Sequence, residues 1–344
     1  MKKIIFCISA VLAAFFVFNA CNEENFSAKE YYEYVVYLMS RETRNYQNIY
    51  NVSHPYNEGV ETIGYISVGC GGSLSNPVEI TVELELDNTP LELYNDMIDS
   101  DDKARLLPEN RYYIPGLTAV LPANSVKPYA KLPVFVVTDG LSPDSMYVIP
   151  LAIKSVSGGF QANPDKSTVL YRIVMDNYYA DHLESSFYSV KGGNLEEITL
   201  EDGTTTLYPV TGYTKSRVLK PVAKYSIRML AGEEKSEKNE TFTLAELEQS
   251  AIIITVNQDD NTISYAPCGT IQVEEIENEE PEEGKEPEIW NYYSEERKNM
   301  VDESVNKYFY LRYRYRTVRT PATETQPAVY NAWKYVQEIL RRVE

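Results

Sequence analysis

Regular alternation between apolar and polar residues most limits the folds open to this chain. From residue 78 to residue 86 the sequence reads Val-Glu-Ile-Thr-Val-Glu-Leu-Glu-Leu, with every second residue apolar. A period of two predicts a β-strand with one buried face and one solvated face. Other segments rich in Val, Ile and Tyr, separated by turn signals, are residues 33–39, 63–68, 147–155 and 169–175. Residues 30–177 are therefore predicted to form an immunoglobulin-like β-sandwich.

The second half, residues 178–344, is predicted to be a second antiparallel β domain. Its strongest strand signal is residues 307–317, whose better core face holds Phe309, Leu311, Tyr313 and Tyr315. The opposite face, solvated or lining a wet cavity, holds Tyr308, Tyr310, Arg312, Arg314 and Arg316. The spacing of the strands fits both a lipocalin-like up-and-down barrel and a sandwich, so both remain open.

The end of the chain shows a different period. After Pro327, apolar residues recur every three or four positions, at Val329, Trp333, Val336, Leu340 and Val343. This spacing favours an amphipathic closing helix, with a final strand as the alternative. Residues 274–288, which hold nine glutamates and two prolines, are predicted to be a solvated loop.

Charge and cysteine content exclude several classes of protein. The chain has 51 acidic and 32 basic residues and a net charge of −19. Nucleic-acid binding requires a basic surface, so we expect no nucleic-acid partner. Cys70 and Cys268 lie far apart in the sequence and are predicted to be buried small apolar residues rather than a disulfide. No Cys/His group has the spacing of metal ligands, so no metal or other cofactor is expected.

The N-terminus has the three parts of a secretory signal. A basic start at Lys2 and Lys3 precedes an apolar run over residues 4–18 and then Ala20-Cys21. The run is shorter than the roughly 20 residues that span a bilayer. Residues 1–21 resemble a bacterial lipoprotein signal, which implies that Cys21 is lipidated and that residues 22–29 form a tether. Phe18 departs from the usual pattern, and a plain secreted protein with an ordinary Cys21 is the alternative.

The residues after Cys21 bear on location. The sequence Asn-Glu-Glu-Asn at residues 22–25 resembles the signal that sends Bacteroidetes lipoproteins to the outer face of the outer membrane. The alternative is a solvated acidic tether. A lipid anchor would hold the protein on the membrane without spanning it.

Catalytic signatures are scarce. The chain has two histidines, His54 in a loop-like Ser-His-Pro sequence and His182 near the domain junction, and both are expected at the surface or the junction. The sequence contains no G-x-S-x-G elbow, no H-E-x-x-H helix and no phosphate-binding glycine loop. Among 51 acidic residues, no pair stands out as glycosidase carboxylates. We therefore expect a protein that is not an enzyme.

Sugar binding requires less than catalysis. An exposed aromatic ring packs against the apolar face of a pyranose, while amides, carboxylates and hydroxyls bond its hydroxyl groups. The best local candidate is Trp290, as the stacking ring, with Asn291 and Tyr292 or Tyr293 as hydrogen-bonding partners. The alternative is that these residues lead into the strand near Tyr308 and are packed. The arginines on the solvated face could bind acidic sugars or form surface ion pairs with neighbouring glutamates.

The chain as a whole resembles a known group. The segments that carry the likeness are residues 35–38, 78–84, 112–115, 142–151, 261–265 and 307–315. They are similar to Bacteroidetes outer-membrane lipoproteins that have an N-terminal immunoglobulin-like domain of unassigned function and a C-terminal all-β domain. These lipoproteins are associated with Sus-like (starch-utilisation-like) glycan-uptake systems.

The resemblance implies a function and its partners. The protein would be a cell-surface accessory lipoprotein that binds polysaccharide or oligosaccharide beside a Sus-like transport complex and performs no chemistry. The alternatives are a structural, adhesion or assembly lipoprotein that binds another protein, and a glycoside hydrolase. The matching segments are strand and turn signatures, so the resemblance assigns no binding residue.

Overall fold

A computed structural model shows a nearly all-β protein with two domains, as predicted. It describes residues 34–40, 48–72, 74–98, 103–125, 127–181, 186–232, 242–278, 288–297 and 305–343. The predicted signal peptide, Cys21, the tether at 22–29 and His182 lie outside the described residues. Within those ranges, helical structure is confined to α1 (Thr89–Asp96), α2 (Leu244–Ser250) and 3₁₀ turns at Glu109–Arg111 and Pro164–Lys166. None of the described helices is long and apolar enough to cross a bilayer.

The N-terminal strands form two sheets. The first has the order β10-β1-β3-β8-β6, and the second has the order β2-β11-β9-β4-β7, with β5 also paired to β9. The strands are β1 (Val35–Leu38), β2 (Ile49–Ser53), β3 (Thr62–Cys70), β4 (Ile80–Leu86), β5 (Arg105–Leu106), β6 (Tyr112–Tyr113), β7 (Thr118–Leu121), β8 (Tyr129–Val136), β9 (Tyr147–Val156), β10 (Gln161–Ala162) and β11 (Thr168–Val174).

The alternation in the sequence accounts for the core between these sheets. In β4, Ile80, Val82 and Leu84 are buried, whereas Glu83 and Glu85 are exposed. The buried side chains pack with apolar residues of the other sheet into one core, which is the arrangement of an immunoglobulin-like sandwich. Burial of apolar area is the main stabilising contribution to such a core.

His54 lies inside this sandwich, so the prediction of a surface position was wrong. Its ring is fully buried, with Nδ1 2.9 Å from Thr62 Oγ1 and Nε2 2.8 Å from the Tyr171 hydroxyl. Gly64 provides the space, because a Cβ there would lie 2.7 Å from His54 Nε2. Burial lowers the pKa of His54 to about 4, since desolvation disfavours the charged imidazolium.

This buried histidine predicts a pH-dependent stability. Between its ordinary pKa of 6.5 and its folded pKa of about 4, His54 is neutral in the folded chain and protonated in the unfolded chain. The unfolded chain then binds more protons, so the free energy of unfolding falls as pH falls, by about 1.4 kcal/mol per pH unit. Thermal unfolding of the protein and of His54→Gln from pH 4 to 7 measures this. Identical pH profiles would contradict the prediction.

The C-terminal strands form one large antiparallel sheet and a small hairpin. The large sheet has the order β16-β15-β14-β13-β12-β22-β19-β17, and β18 pairs with β19 beside β17. The strands are β12 (Ser186–Thr199), β13 (Thr205–Ala223), β14 (Ser226–Leu230), β15 (Ala251–Val256), β16 (Ile263–Pro267), β17 (Gln272–Glu275), β18 (Tyr292–Arg297), β19 (Val305–Arg316), β20 (Val318–Thr320), β21 (Val329–Tyr330) and β22 (Lys334–Val343). Strands β20 and β21 form the hairpin.

The large sheet curls until its two ends meet. The Ile263 amide donates to the Asn291 carbonyl at 2.7 Å, and the Tyr293 amide donates to the Asn261 carbonyl at 2.8 Å. These bonds connect the start of β16 with β18, so the sheet is nearly closed. Of the two alternatives that the sequence left open, the structure has the barrel-like one.

The amphipathic C-terminal helix was predicted wrongly. Residues 334–343 form β22, which pairs with β12 on one side and β19 on the other. Val336, Glu338 and Leu340 point inward with a period of two. The alternation was hidden because a charged residue, Glu338, occupies one of the inward positions. This segment forms a strand because β12 and β19 provide hydrogen-bond partners along both of its edges.

The predicted core face of β19 is confirmed. Phe309, Leu311, Tyr313 and Tyr315 are buried inside the curled sheet, whereas the opposite face is partly exposed. Arg312 is the exception on that face, because only 6% of it is exposed.

A polar network crosses the interior of the curled sheet. The carboxylate of Glu338 is fully buried and accepts hydrogen bonds from Arg217, from Tyr213 at 2.7 Å and from Tyr313 at 2.9 Å. Gly192 lets β12 lie close to β22 at Glu338, since a Cβ at residue 192 would lie 2.4 Å from the Glu338 Cβ. A buried charge is tolerated only when it is paired and hydrogen-bonded, and Glu338 meets both conditions.

An ion pair between buried Arg228 and partly exposed Asp144 connects the two domains. Arg228, on β14, donates to both carboxylate oxygens of Asp144, in the turn before β9, at 2.5 and 2.6 Å. This two-point geometry orients the partners more strongly than a single contact.

The predicted absence of a disulfide agrees with the structure, because Cys70 and Cys268 are both free thiols. Cys70 is buried, as predicted, but Cys268 is only half-buried.

Candidate functional site

Four aromatic residues form a row on the outer face of β18 and β19. Tyr292 lies directly opposite Tyr310 in the strand register, and their rings stack at 4.6 Å with an angle of 4°. Tyr308 continues the row, 6.1 Å from Tyr310, and Trp290 meets Tyr310 at 6.3 Å and 67°. All four are half-buried. We call Trp290, Tyr292, Tyr308 and Tyr310 the aromatic row.

Asn291 holds the aromatic row in place and is not available to a ligand. It is buried, and its backbone has a φ of +60°, which asparagine tolerates better than most residues. Its Oδ1 accepts from the Tyr265 hydroxyl and from the Arg312 amide, both at 2.7 Å. Its Nδ2 donates to Glu275 at 3.2 Å and to the Ile276 carbonyl at 3.0 Å. Since these bonds use the amide fully, the predicted ligand-binding role of Asn291 is corrected to a structural one.

Tyr293 packs in the core, unlike Tyr292, but it also lines the polar cleft beside Tyr292, so its role as a ligand partner stays a prediction. Its ring lies 4.9 Å from Tyr179 and 5.0 Å from Phe309, and its hydroxyl donates to Glu295 at 2.6 Å. Burial and the neighbouring Glu295 raise its pKa. The alternation along β18 explains the difference, because Tyr292 then faces outward and Tyr293 inward.

Hydrogen bonds to its backbone hold Trp290 in place. Its amide donates to Asn278 Oδ1 at 2.8 Å, and Asn278 Nδ2 donates back to the Trp290 carbonyl at 3.3 Å. The indole Nε1 donates to Glu288 at 3.3 Å. Polar contacts to the backbone, rather than burial of the ring, therefore position Trp290. Sequence reasoning selected Trp290 and Tyr292 as candidates, but it did not bring Tyr308 and Tyr310 beside them, because strand register is not local information.

A polar cleft of about 580 Å³ lies next to Tyr292. The Thr262 amide and hydroxyl hold the pKa of Asp260 below its ordinary value, so this carboxylate is a permanent acceptor near neutral pH. The cleft is lined by Tyr178, Tyr179, Gln258, Asp260, Asn261, Tyr292, Tyr293, Ser294 and Glu295. Its volume is in the range of about 300–1,000 Å³ that small-ligand pockets have.

The arginines of β19 form a second polar and aromatic cluster. Arg314 donates through two nitrogens to Glu274, which is the surface ion pair that the sequence offered as one alternative. Arg316 instead lies over Trp333, with its guanidinium carbon 4.4 Å from the ring centre. Trp333 thus marks this cluster, although the sequence pattern assigned it to a helix.

The described residues give no metal-binding cluster. No group of three or more His, Cys, Asp or Glu side chains in those ranges could hold a metal ion. His54 is enclosed in the N-terminal sandwich with both ring nitrogens bonded, remote from the aromatic row.

Comparisons with known proteins identify the two domains. A family model described as a C-terminal domain matches residues 167–339, and one described as an N-terminal domain matches residues 31–159. No curated protein matches the chain.

Solved structures from Bacteroides share the fold along most of the chain. A protein of unknown function from Bacteroides ovatus has 15% identity and a TM-score of 0.58, and the match covers 90% of this chain and 94% of that one. An auxiliary nutrient binding protein from Bacteroides thetaiotaomicron has 14% identity and a TM-score of 0.54, with 89% and 94% covered. Such identities show the fold alone. The chain therefore belongs to the family whose C-terminal domain model matches residues 167–339, and its fold is that of these Bacteroides proteins.

Proposed function

We propose that this protein is a glycan-binding accessory protein that holds a polysaccharide or oligosaccharide and performs no chemistry on it. The observation that carries the proposal is the aromatic row beside a polar cleft. Trp290 is half-buried and meets Tyr310 at 67° rather than face to face, and a partly exposed indole is a stacking surface for the apolar side of a pyranose. The side chains of the cleft supply donors and acceptors for hydroxyl groups at the edge of the row.

The comparisons add support of a coarser kind. One protein with the same fold is described as an auxiliary nutrient binding protein. A glycan is a nutrient that fits flat aromatic rings beside amide, hydroxyl and carboxylate hydrogen-bonding groups, which is why we prefer it over other nutrients for this chain.

The location belongs to the same proposal. The basic start, the apolar run and Cys21 support a lipid anchor, and the acidic residues at 22–25 support the outer face of the outer membrane. In that place the protein would pass glycan to a Sus-like transport complex. Acylation at Cys21, detected by mass spectrometry, and digestion of the protein on intact cells by added protease are the direct measurements.

An adhesion or assembly role is the second candidate, because protein interfaces are also enriched in Tyr, Trp and Arg. The aromatic row contains three tyrosines and a tryptophan within one patch. Co-purification from the outer membrane with and without glycan separates the two roles, because only an assembly subunit keeps its partner when glycan is absent.

We expect Trp290→Ala to weaken glycan binding about tenfold and to leave the melting temperature nearly unchanged. The reason is that polar backbone contacts, not packing of the ring, hold this segment. Affinity electrophoresis and calorimetry against plant, host and microbial glycans measure binding, and reducing-sugar release tests for hydrolysis.

Tyr208→Ala is the matched control, because Tyr208 is a 60% exposed aromatic residue outside the aromatic row. It should leave binding unchanged. If Trp290→Ala lost stability and binding together, the ring would be part of the core. If the folded protein bound no glycan, or released reducing sugar, the proposed function would fail.

A further inference from the structure

We propose that the C-terminal end of β19 is an anion subsite, centred on Arg316, that binds the carboxylate or sulfate of an acidic sugar residue. The inference rests on the proposed glycan-binding function and adds the class of glycan.

The first observation is how Arg316 is held. Its guanidinium carbon lies 4.4 Å from the ring centre of Trp333 and 4.9 Å from that of Tyr330. Its Nε donates to Gln272 Oε1 at 2.7 Å. Two aromatic rings and a neutral amide therefore orient the guanidinium without neutralising its charge.

The second observation is the contrast with Arg314, two residues earlier on the same face. Arg314 also lies over Trp333, at 4.6 Å, but its guanidinium is paired with Glu274. No carboxylate in the described part of the chain lies within 4.0 Å of Arg316. The chain has 51 acidic residues, so its composition does not explain why Arg316 lacks a carboxylate neighbour among the described residues. Among the described residues, Arg316 therefore has no carboxylate partner, in contrast to Arg314.

The third observation is the geometry of the donors that remain. With Nε bonded to Gln272, the two terminal nitrogens of Arg316 are left, and they form the fork that matches a carboxylate or sulfate through two parallel hydrogen bonds. Such charge-assisted bonds are about twice as strong as neutral ones. An anionic group on a sugar is the ligand that uses both the fork and the adjoining aromatic rings.

A cleft for the rest of the sugar lies beside Trp333. Its volume is about 410 Å³, and it is lined by Asn194, Leu195, Glu196, Val210, Thr211, Tyr315, Trp333, Lys334 and Tyr335. Lys334 places a cation at this cleft, and Arg316, which is not one of the lining residues, adjoins it through Trp333. Because Glu196 also lines it, the cleft is not uniformly positive, and selection for an anion falls mainly on Arg316.

The subsite lies on the same strand face as the aromatic row. Arg316 lies six positions after Tyr310, which is about 20 Å along a strand. An extended oligosaccharide of several residues could therefore contact the aromatic row with one end and place an acidic residue at Arg316 with the other.

The test compares Arg316→Gln with the matched control Arg319→Gln, which removes the same charge from an exposed position on β20. Calorimetry is run with three probes: oligogalacturonate carries carboxylates, sulfated galactan carries sulfates, and unsubstituted galactan carries neither. We expect the protein to bind at least one acidic probe and Arg316→Gln to weaken that binding about tenfold. Arg319→Gln should have no effect. Arg316→Lys should retain part of the affinity, because it keeps the charge but loses the fork.

The outcomes separate this inference from the proposed function. If a neutral glycan binds but neither acidic probe does, the anion subsite is wrong and the glycan-binding function stands. If an acidic probe binds equally well to the protein and to Arg316→Gln, or if Arg319→Gln loses as much affinity, Arg316 is not the anion site. If no glycan of any kind binds, both proposals fail. Binding of one acidic probe and not the other identifies the anion.

Discussion

Replacing Glu338 with glutamine is expected to lower the free energy of unfolding by about 3–5 kcal/mol. The carboxylate is fully buried inside the curled sheet and neutralises Arg217, of which only 1% is exposed. Glutamine has nearly the same shape but no charge, so the substitution removes the ion pair with Arg217 from the buried interior. Denaturation in urea, followed by circular dichroism, measures the loss.

Two further variants make the test specific. Glu274→Gln removes the partner of Arg314, a half-exposed pair, and should cost less than about 1 kcal/mol. Arg217→Met combined with Glu338→Gln should be less destabilised than the sum of the two single variants, because each single variant already breaks the same ion pair. A loss for Glu338→Gln no larger than that for Glu274→Gln would show that the interior charge is not isolated from water.

Substituting Asn291 with alanine is expected to lower the free energy of unfolding by roughly 3–4 kcal/mol and to weaken glycan binding at the same time. Alanine leaves the Arg312 amide and the Tyr265 hydroxyl without their acceptor, and each such buried donor costs about 1–3 kcal/mol. The turn that positions Trp290 and Tyr292 then loses its connection to β17 and β19. Thermal unfolding and calorimetry with the same glycan measure both effects.

Asn291→Gly separates the two causes of the loss. Glycine accepts the φ of +60° without strain but makes none of the side-chain bonds, so the difference between the glycine and alanine variants reports backbone strain less the greater backbone entropy that glycine loses on folding. We expect glycine to recover about 1 kcal/mol at most. The contrast with Trp290→Ala is equally informative, since that change should affect binding and not stability. Asn291→Ala with native stability would show that the aromatic row does not depend on this amide.

Much of the strand content could be predicted because alternation is a local property. Residues 78–86 predicted a strand with buried Ile80, Val82 and Leu84, and β4 has this arrangement. The core face and the outer face of β19 could likewise be predicted, because its apolar and polar residues alternate along a single strand.

The errors share one cause, which is a partner distant in the sequence. Glu338 interrupted the alternation of β22 and favoured a helix, but its charge is matched by Arg217, 121 residues earlier. His54 looked like a loop residue, although Tyr171, 117 residues later, encloses it. Local patterns contain no information about such partners.

The candidate site was predicted in part for the same reason. Trp290 and Tyr292 could be selected as aromatic residues after an acidic loop, but the opposite orientation of Asn291 and Tyr293 depended on where β18 begins. The pairing of Tyr292 with Tyr310 depended on the register of two strands.

The sequence by itself determined that this chain forms β-strands with one face for a core, since the period of hydrophobicity acts through neighbours a few residues apart. Only the tertiary structure decided which strands pair, that the second sheet curls until its ends meet, and which polar side chains are buried or presented to solvent. Those outcomes depend on hydrogen bonds and charges contributed by segments more than 100 residues apart, and no local pattern contains them.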